Sequence, residues 1–305
     1  MIILLIAISL LLIVTVISYL CFRVAFYTDR KEVYEEYSIP DGKIYEPYRD
    51  IMIKWMKEIK GSEKEIFTIK SFDGLNLTAR YYECEKGAPI ELMLHGYRGN
   101  AQRDLCGGVQ RCFSLGRNAF IVDMRACGDS EGHIITFGVN EVRDCLDWID
   151  FIINHFGENT KIILTGISMG ASTVLLATKE DLPKNVIGVL ADCGFSSAQA
   201  IIKKTIKEMK LPVFPSYQFV RLGALLFGHF NIDKSKSDEA VKNATVPIIY
   251  FHGTGDDFVP HYMSELCYKE TASRKKLVLI DGAGHGLSFL KDQDKYLTEL
   301  SDFFD

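Results

Sequence analysis

The sequence predicts an α/β protein: one doubly wound, mostly parallel sheet with helices on both faces, set behind an N-terminal membrane-spanning helix. Three observations carry that prediction. Strand-like and helix-like segments alternate from Ile90 to the C-terminus. Several strand candidates are continuous apolar runs, the pattern of strands covered by helices on both faces. And from Ile2 to Phe22 there is no charged side chain, only Ser9, Thr15 and Ser18 among the polar ones.

That first segment is read as a transmembrane anchor over residues 1–22. A helix of this length spans about 30 Å of hydrocarbon at roughly 1.5 Å per residue. A cleaved signal peptide would carry a basic start, a shorter apolar stretch and a small-residue cleavage site, and none is visible. Arg23, Arg30 and Lys31 follow the span while only the terminal amine precedes it. The positive-inside rule therefore directs the following domain to the cytoplasm, a single-pass arrangement at the cell membrane. Asp29, Glu32, Glu35 and Glu36 lie nearby but count for little in that rule. The 8 cysteines are scattered without a C-x-x-C pair, which suits a reducing compartment. A net charge of −5 with no strongly basic stretch excludes nucleic acid as a partner. With 48% hydrophobic and 25% charged residues, the remainder is a packed globular chain.

Residues 23–64 form a juxtamembrane connector and a helix. The connector is charged and Tyr-rich and closes on the turn Pro40-Asp41-Gly42, and the helix spans 46–60 with Ile51, Trp55 and Ile59 on one face. The main domain, 65–305, opens with two β-type runs, Glu65–Lys70 and Leu75–Glu83, joined through an Asp73-Gly74 hairpin signal. Further strands are expected at Ile90–Leu94, Ala119–Asp123, Lys161–Thr165, Val186–Ala191, Pro247–Phe251 and Lys276–Ile280, making an eight-stranded sheet. Helices are expected at Val139–Phe156, Ala171–Thr178 and Lys291–Phe304. About fifty residues separate the strand ending at Ala191 from the one beginning at Pro247, far more than one crossover needs. Two helical patterns there, Ala198–Met209 and Tyr217–Phe227, are split by Pro212 and Pro215 and suggest a small helical cap at about 195–245.

Two stretches satisfy G-x-S-x-G: Gly128-Asp-Ser130-Glu-Gly132 and Gly166-Ile-Ser168-Met-Gly170. A nucleophilic serine of this type needs a strand running straight in and a helix leaving, because the turn between them is sharp. Only the second has both, with Lys161–Thr165 before it and Ala171–Ala177 after it. Ser168 is therefore the candidate nucleophile, and Ser130 a loop residue. A serine hydroxyl needs a base, and the base needs an orienting acid. Of the 7 histidines, His285 lies in Gly282-Ala-Gly-His-Gly286 just after the last strand, where the chain can bring an imidazole over the serine. His261 opens a helix, while His95 and His252 end strands and brace turns. The residues alone leave Asp256, Asp257 and Asp192 open as the acid.

In order, Ser71-Phe-Asp-Gly-Leu75, Leu94-His-Gly-Tyr97, Asp123-x-Arg125-x-x-Gly128-x-Ser130, Gly166-x-Ser168-x-Gly170, His252-Gly-x-x-Asp256-x-x-Val-Pro260 and Gly284-His285 resemble the α/β-hydrolase superfamily. The likeness is greatest to its small-cap, serine-aminopeptidase-like and acyl-esterase-like members, and covers roughly residues 65–305. The resemblance implies the α/β-hydrolase fold, Asp256 as the acid, and the backbone N–H groups of Tyr97 and Met169 as oxyanion-hole donors. Where the family commonly has Arg-Gly, this chain has Arg125-Ala126, and it lacks the H-G-G-G loop of one lipase and esterase group.

The function that follows is hydrolysis of a carboxylic ester, or a related acyl bond, through an acyl-enzyme. A serine peptidase of the aminopeptidase type and a lipid or thioester acyl hydrolase are the alternatives, and a non-catalytic reuse of the fold is a fourth reading. The expected substrate is a small-molecule or lipid acyl compound. No cofactor is needed, and neither H-E-x-x-H nor paired-cysteine spacing signals a metal. Lys203, Lys204, Lys207 and Lys210, interleaved with Ile201, Ile202, Ile206 and Met209, could rest a cap helix on anionic lipid.

Overall fold

The computed structural model describes residues 1–29 and 37–304. Of the connector, residues 30–36 lie outside the described residues, and with them Arg30, Lys31, Glu32, Glu35 and Glu36. Helix α1 (Ile2–Ala25) is long and apolar enough to cross a membrane. Its first two-thirds contact little else, but its end does not lie outside the core as the sequence reading has it: Ser18, Phe22 and the following Phe26 are buried. Helix α2 (Arg49–Gly61) buries Met52, Trp55, Met56 and Ile59. This i, i+3, i+4, i+7 stripe includes Trp55 and Ile59 of the expected face, while Ile51 is only half-buried and Met52 and Met56 take its side.

Eight strands follow: β1 (Glu65–Lys70), β2 (Asn76–Tyr82), β3 (Ile90–Leu94), β4 (Asn118–Asp123), β5 (Ile162–Ile167), β6 (Val186–Asp192), β7 (Ile248–Gly253) and β8 (Lys275–Ile280). They form one sheet in the order β1-β2-β4-β3-β5-β6-β7-β8, antiparallel at β1/β2 and β2/β4 and parallel elsewhere. Between them lie α3 (Ala101–Ser114), α4 (Glu141–Phe156), α5 (Met169–Ala177), α6 (Ala198–Glu208), α7 (Val213–Phe227), the short α8 (Ser237–Ala240) and α9 (Tyr262–Glu270). The chain closes with α10 (Ser288–Lys291) and α11 (Gln293–Phe304), two helices where the sequence suggests one. Helix α3 has no counterpart in the sequence reading. Gly107 and Gly108 interrupt its pattern, and their bare backbone admits the Trp55 ring and the Met93 sulfur.

Neighbouring side chains of β3 go to opposite faces, and so to two cores. Leu92 and Leu94 join Phe120, Trp148 and Leu164 under α4 and α5, while Met93 joins Trp55, Leu105 and Leu300 under α2, α3 and α11. From β3 the chain turns back through α3 to β4, whereas from β5 it continues through α5 to β6. The crevice beyond the C-terminal ends of β3 and β5 is thus the topological switch point of the sheet, where such folds bind ligands.

On β3, Glu91 is fully buried between Arg111 (2.5 Å) and Arg117 (2.9 Å), with the Thr165 hydroxyl donating to it from β5 (3.1 Å). Burial alone would raise its carboxyl, but the two guanidinium groups hold it down at about 2. A depressed carboxylate adds stability that is complete above the ordinary value of 4.5 and is lost as pH falls towards about 2. Glu91→Gln leaves two buried cations short of their partner and should cost roughly 3–5 kcal/mol. Thermal unfolding from pH 7 down to pH 3 checks both points: the parent should lose stability across the acid range, and the variant should start lower and lose less.

Candidate active site

Ser168 sits at the junction of β5 and α5 with φ 56° and ψ −117°, outside the regions that suit an L-residue. The turn exists because its flanks are glycines: a Cβ on Gly166 would overlap the Gly170 backbone, and one on Gly170 would overlap the Leu94 carbonyl of β3. The Ser168 N–H donates to the Asp192 carbonyl of β6 (2.9 Å), which holds the turn level with the strand ends. Its hydroxyl stands over the N-terminus of α5, where unpaired N–H groups and the helix dipole favour negative charge.

His285 lies in the loop between β8 and α10. Its Nε2 is 2.9 Å from the Ser168 Oγ and its Nδ1 is 2.7 Å from Asp256 Oδ2. In the tautomer that donates from Nδ1 to the carboxylate, Nε2 is placed to accept a hydrogen bond from the serine hydroxyl. The Tyr45 hydroxyl donates to the His285 carbonyl (3.0 Å), and the Phe258 ring packs edge-on against the imidazole. Asp256 follows β7, and its Oδ1 accepts from the N–H groups of Phe258 (2.9 Å) and Val259 (2.8 Å). The His252 Nε2 approaches its Oδ2 at 3.3 Å. Burial pushes this carboxyl up, yet the hydrogen bonds from His252 and His285 outweigh it and hold Asp256 far below the usual carboxylate range.

The other candidates are engaged elsewhere. Asp192 is buried and accepts from the hydroxyls of Ser288 (2.9 Å) and Tyr296 (3.0 Å), bracing α10 and α11. Asp257 is exposed, and its carbonyl accepts from Lys204. Ser130 is wholly buried: its hydroxyl donates to the Asp123 carbonyl and accepts from the Thr78 N–H (2.8 Å). His95 accepts from the Met124 N–H (3.0 Å), and His252 lies 2.7 Å from Ser264 Oγ, so both brace turns. His261 opens α9 beside Glu265.

The loop after β3 lies against the serine: a Cβ on Gly96 would be 3.5 Å from the Ser168 Cβ. Tyr97 follows Gly96 directly in this loop, and Met169 is the first residue of α5, next to Ser168 in the chain. Above Ser168 opens a cavity of about 400 Å³ with an almost wholly apolar wall from Phe137, Phe195, Ile202, Ile206 and Val220. The sequence reading missed its remaining side, which comes from Leu20, Cys21, Val24 and Ala25 of α1. An unbroken apolar run carries no signal that separates a cavity wall from a lipid-facing surface. Of the four lysines read on and just after α6, Lys204 is spent on the carbonyls of Asp257 and Phe258 and on Glu208, and Lys203 lies over the Tyr217 ring. Lys207 and Lys210 are exposed.

Cys193, Asp256 and His285 present ligand-type atoms within 4.8 Å of one another. Burial pushes the Cys193 thiol well up, so it stays protonated, and the histidine and carboxylate face each other. The histidine and carboxylate are joined in the hydrogen-bonded relay to Ser168. Arg125 of the Asp123 motif is buried between Asp144 (2.6 Å) and Asp73 (2.9 Å), tying the β1–β2 turn to α4. Ala126, where the family resemblance implies glycine, takes up φ 63°, so the backbone keeps a glycine-like turn with an alanine in it.

Comparison with known proteins places these features in context. The family described as the alpha/beta hydrolase family matches residues 92–299. An uncharacterized protein of Bacillus subtilis, YqkD, is 24% identical over 245 residues that cover 80% of each chain. Among solved structures, the Pyrococcus furiosus esterase Pf2001 superposes with a TM-score of 0.65 at 19% identity, covering 81% of this chain and 93% of its own. Est1E of Butyrivibrio proteoclasticus, solved with ferulic acid bound, gives 0.60 at 20% identity over 78% of this chain and 98% of its own.

Because the turn at Ser168 rests on a backbone contact between α5 and β3, Gly170→Ala should force the helix off the strand. The expected cost is about 1–3 kcal/mol, the range of an overpacked core. Thermal unfolding beside the parent protein checks it, and an unchanged midpoint would show that the contact is slack.

Proposed function

This chain belongs to the alpha/beta hydrolase family, and we propose that within it the protein is a membrane-anchored serine esterase with Ser168, His285 and Asp256 as its triad. The observation that carries this reading is the unbroken relay from the Ser168 hydroxyl through His285 to Asp256, opening into an apolar cavity. His285 Nε2 takes the serine proton as Oγ attacks the ester carbonyl, and the N–H groups of Tyr97 and Met169 hold the oxyanion. The acyl C–O bond then breaks, and the leaving alcohol takes the proton from His285. Water, deprotonated by the same imidazole, attacks the acyl-serine and returns the hydroxyl. Asp256, kept ionised by its donors, fixes the tautomer and stabilises the imidazolium formed on the way.

An aminopeptidase of the same family would have to hold a substrate ammonium. Among the described residues, those lining the cavity carry no carboxylate for that purpose, which supports an ester with an apolar acyl group. The esterase names of Pf2001 and of the Exiguobacterium antarcticum enzyme EaEST, whose fold this chain shares, agree with that choice. Helix α1 serves as the anchor, in a single pass that leaves the domain on the cytoplasmic side. Arg23, Arg30 and Lys31 after the span support this side. The burial of Phe22 and Phe26 against the domain supports an uncleaved helix over a removed signal sequence.

Ser168→Ala should lower turnover of 4-nitrophenyl acetate by at least about a thousandfold and abolish labelling by a fluorophosphonate probe. Ser130→Ala should keep both while losing about 1–2 kcal/mol of stability with its buried hydrogen bonds. Asp256→Asn should fold and fall about 10³–10⁴-fold in kcat. Undiminished hydrolysis in Ser168→Ala would overturn the esterase reading, and faster turnover of aminoacyl amides than of acyl esters would replace it with the peptidase one.

A further inference from the structure

We propose that α1 is part of the substrate site as well as the anchor: its last two turns wall the acyl cavity at the membrane surface, and the substrate is a long-chain acyl ester entering from the bilayer. This rests on the reading of Ser168 as nucleophile.

The first support is the cavity itself. Leu20, Cys21 and Val24 close one side of it, opposite Ile202 and Ile206 of α6, with Ser168 at its base. Val24 remains 66% exposed while lining the cavity, so the opening runs along α1.

The second is that this wall is held rigidly. A Cβ on Gly223 of α7 would overlap the Ser18 carbonyl of α1 and lie 3.1 Å from the Phe22 Cβ, so the two helices meet backbone to backbone. The Tyr97 hydroxyl donates to the Ala25 carbonyl (2.9 Å), and Arg98 donates to the carbonyls of Val24 (2.9 Å) and Tyr27 (3.0 Å). The loop expected to supply an oxyanion donor therefore caps the C-terminus of the anchor, with a cation where the helix dipole favours one. Beyond it, Phe26 packs against Phe137 and Phe230, and Tyr27 bridges to Ile134.

The third is depth. At about 1.5 Å per residue, Leu20 lies roughly 27 Å along the helix from Ile2. The exposed apolar stretch from Ile2 onward thus nearly fills a hydrocarbon core of about 30 Å, and residues 20–25 fall at its boundary. The cavity rim repeats the message. Met209 and Leu211 line the cavity while staying exposed, and Phe214 beside them is 78% exposed. Such a rim is unfavourable in water and favourable against acyl chains. An acyl chain can then pass from lipid to cavity without crossing water, and each methylene spared that crossing lowers the barrier enough to speed transfer by about fourfold.

The test uses the full-length protein in phosphatidylcholine vesicles, with 4-nitrophenyl acetate in solution and 4-nitrophenyl palmitate dissolved in the bilayer. Cys21→Trp and Val24→Trp should each lower the palmitate-to-acetate ratio of kcat/KM at least tenfold. Leu10→Trp, in the middle of the span, should leave that ratio as it is. Fluorophosphonate labelling of Ser168 reports which variants are folded. A second measurement needs no variant: palmitate ester placed in the protein's own vesicles should be cleaved at least tenfold faster than the same amount in separate, protein-free vesicles. An unchanged ratio in a labelled tryptophan variant, or equal rates from the two vesicle populations, would overturn the proposal. If the parent protein neither takes the label nor cleaves acetate, the Ser168 reading itself fails, and this proposal with it.

Discussion

The architecture of the site depends on one contact, the approach of the α5 N-terminus to the end of β3. With glycine at 166 and 170 the two backbones meet where no side chain fits, and the chain between them must fold into a turn that strains Ser168. That strain is supported by the hydrogen bond from the Ser168 N–H to β6 and by α5, whose every residue is buried. The same contact brings the β3 loop beside the serine, so that groups from two neighbouring strands converge at the switch point of the sheet.

Around this turn, buried polar groups hold the loops that carry the chemistry. Asp256 accepts from two N–H groups of its own loop and from His285, with His252 beside it at 3.3 Å, and these partners keep it ionised despite burial. Asp192, one strand away, meets only hydroxyls, and burial pushes its carboxyl up. The different partners of the two carboxylates make one a charge to pair with His285 and the other a brace. The acid loop is tied in turn to the insertion, because Lys204 of α6 donates to the carbonyls of Asp257 and Phe258. The apolar wall and the polar relay are therefore built on common supports.

Helix α1 joins that assembly from outside the sheet. It begins as a lipid-type helix with no polar face and ends as a packed element, clasped by Tyr97 and Arg98 and pressed against α7 at Gly223. The change comes within one continuous helix because its last turns bury Ser18 and Phe22 against the insertion while the earlier turns bury nothing. Neither the charge pattern nor the hydropathy of the run distinguishes the two parts.

Much of this protein is legible in one chain. The alternation of strand and helix, the apolar strands covered on both faces and the antiparallel start all follow from local periodicity, which depends on near neighbours. The choice of Ser168 over Ser130 is legible for the same reason, since a strand leading in and a helix leading out are local features; the buried, doubly bonded Ser130 is what a loop residue looks like. His285 follows from chain order and its glycine-bounded loop. Other features are decided only in three dimensions. Asp256, Asp257 and Asp192 are equivalent as residues in sequence, where the family resemblance alone favours Asp256, and which carboxylate faces His285 depends on loops that meet 29 residues apart. Ala126 reads as a departure from a glycine turn until the backbone is seen to keep the turn. The apolar segment by itself determined a helix able to span a bilayer. That its last turns also wall the cavity above Ser168 was decided by the tertiary structure, because an apolar side chain packs equally well against lipid or protein and its sequence does not record which.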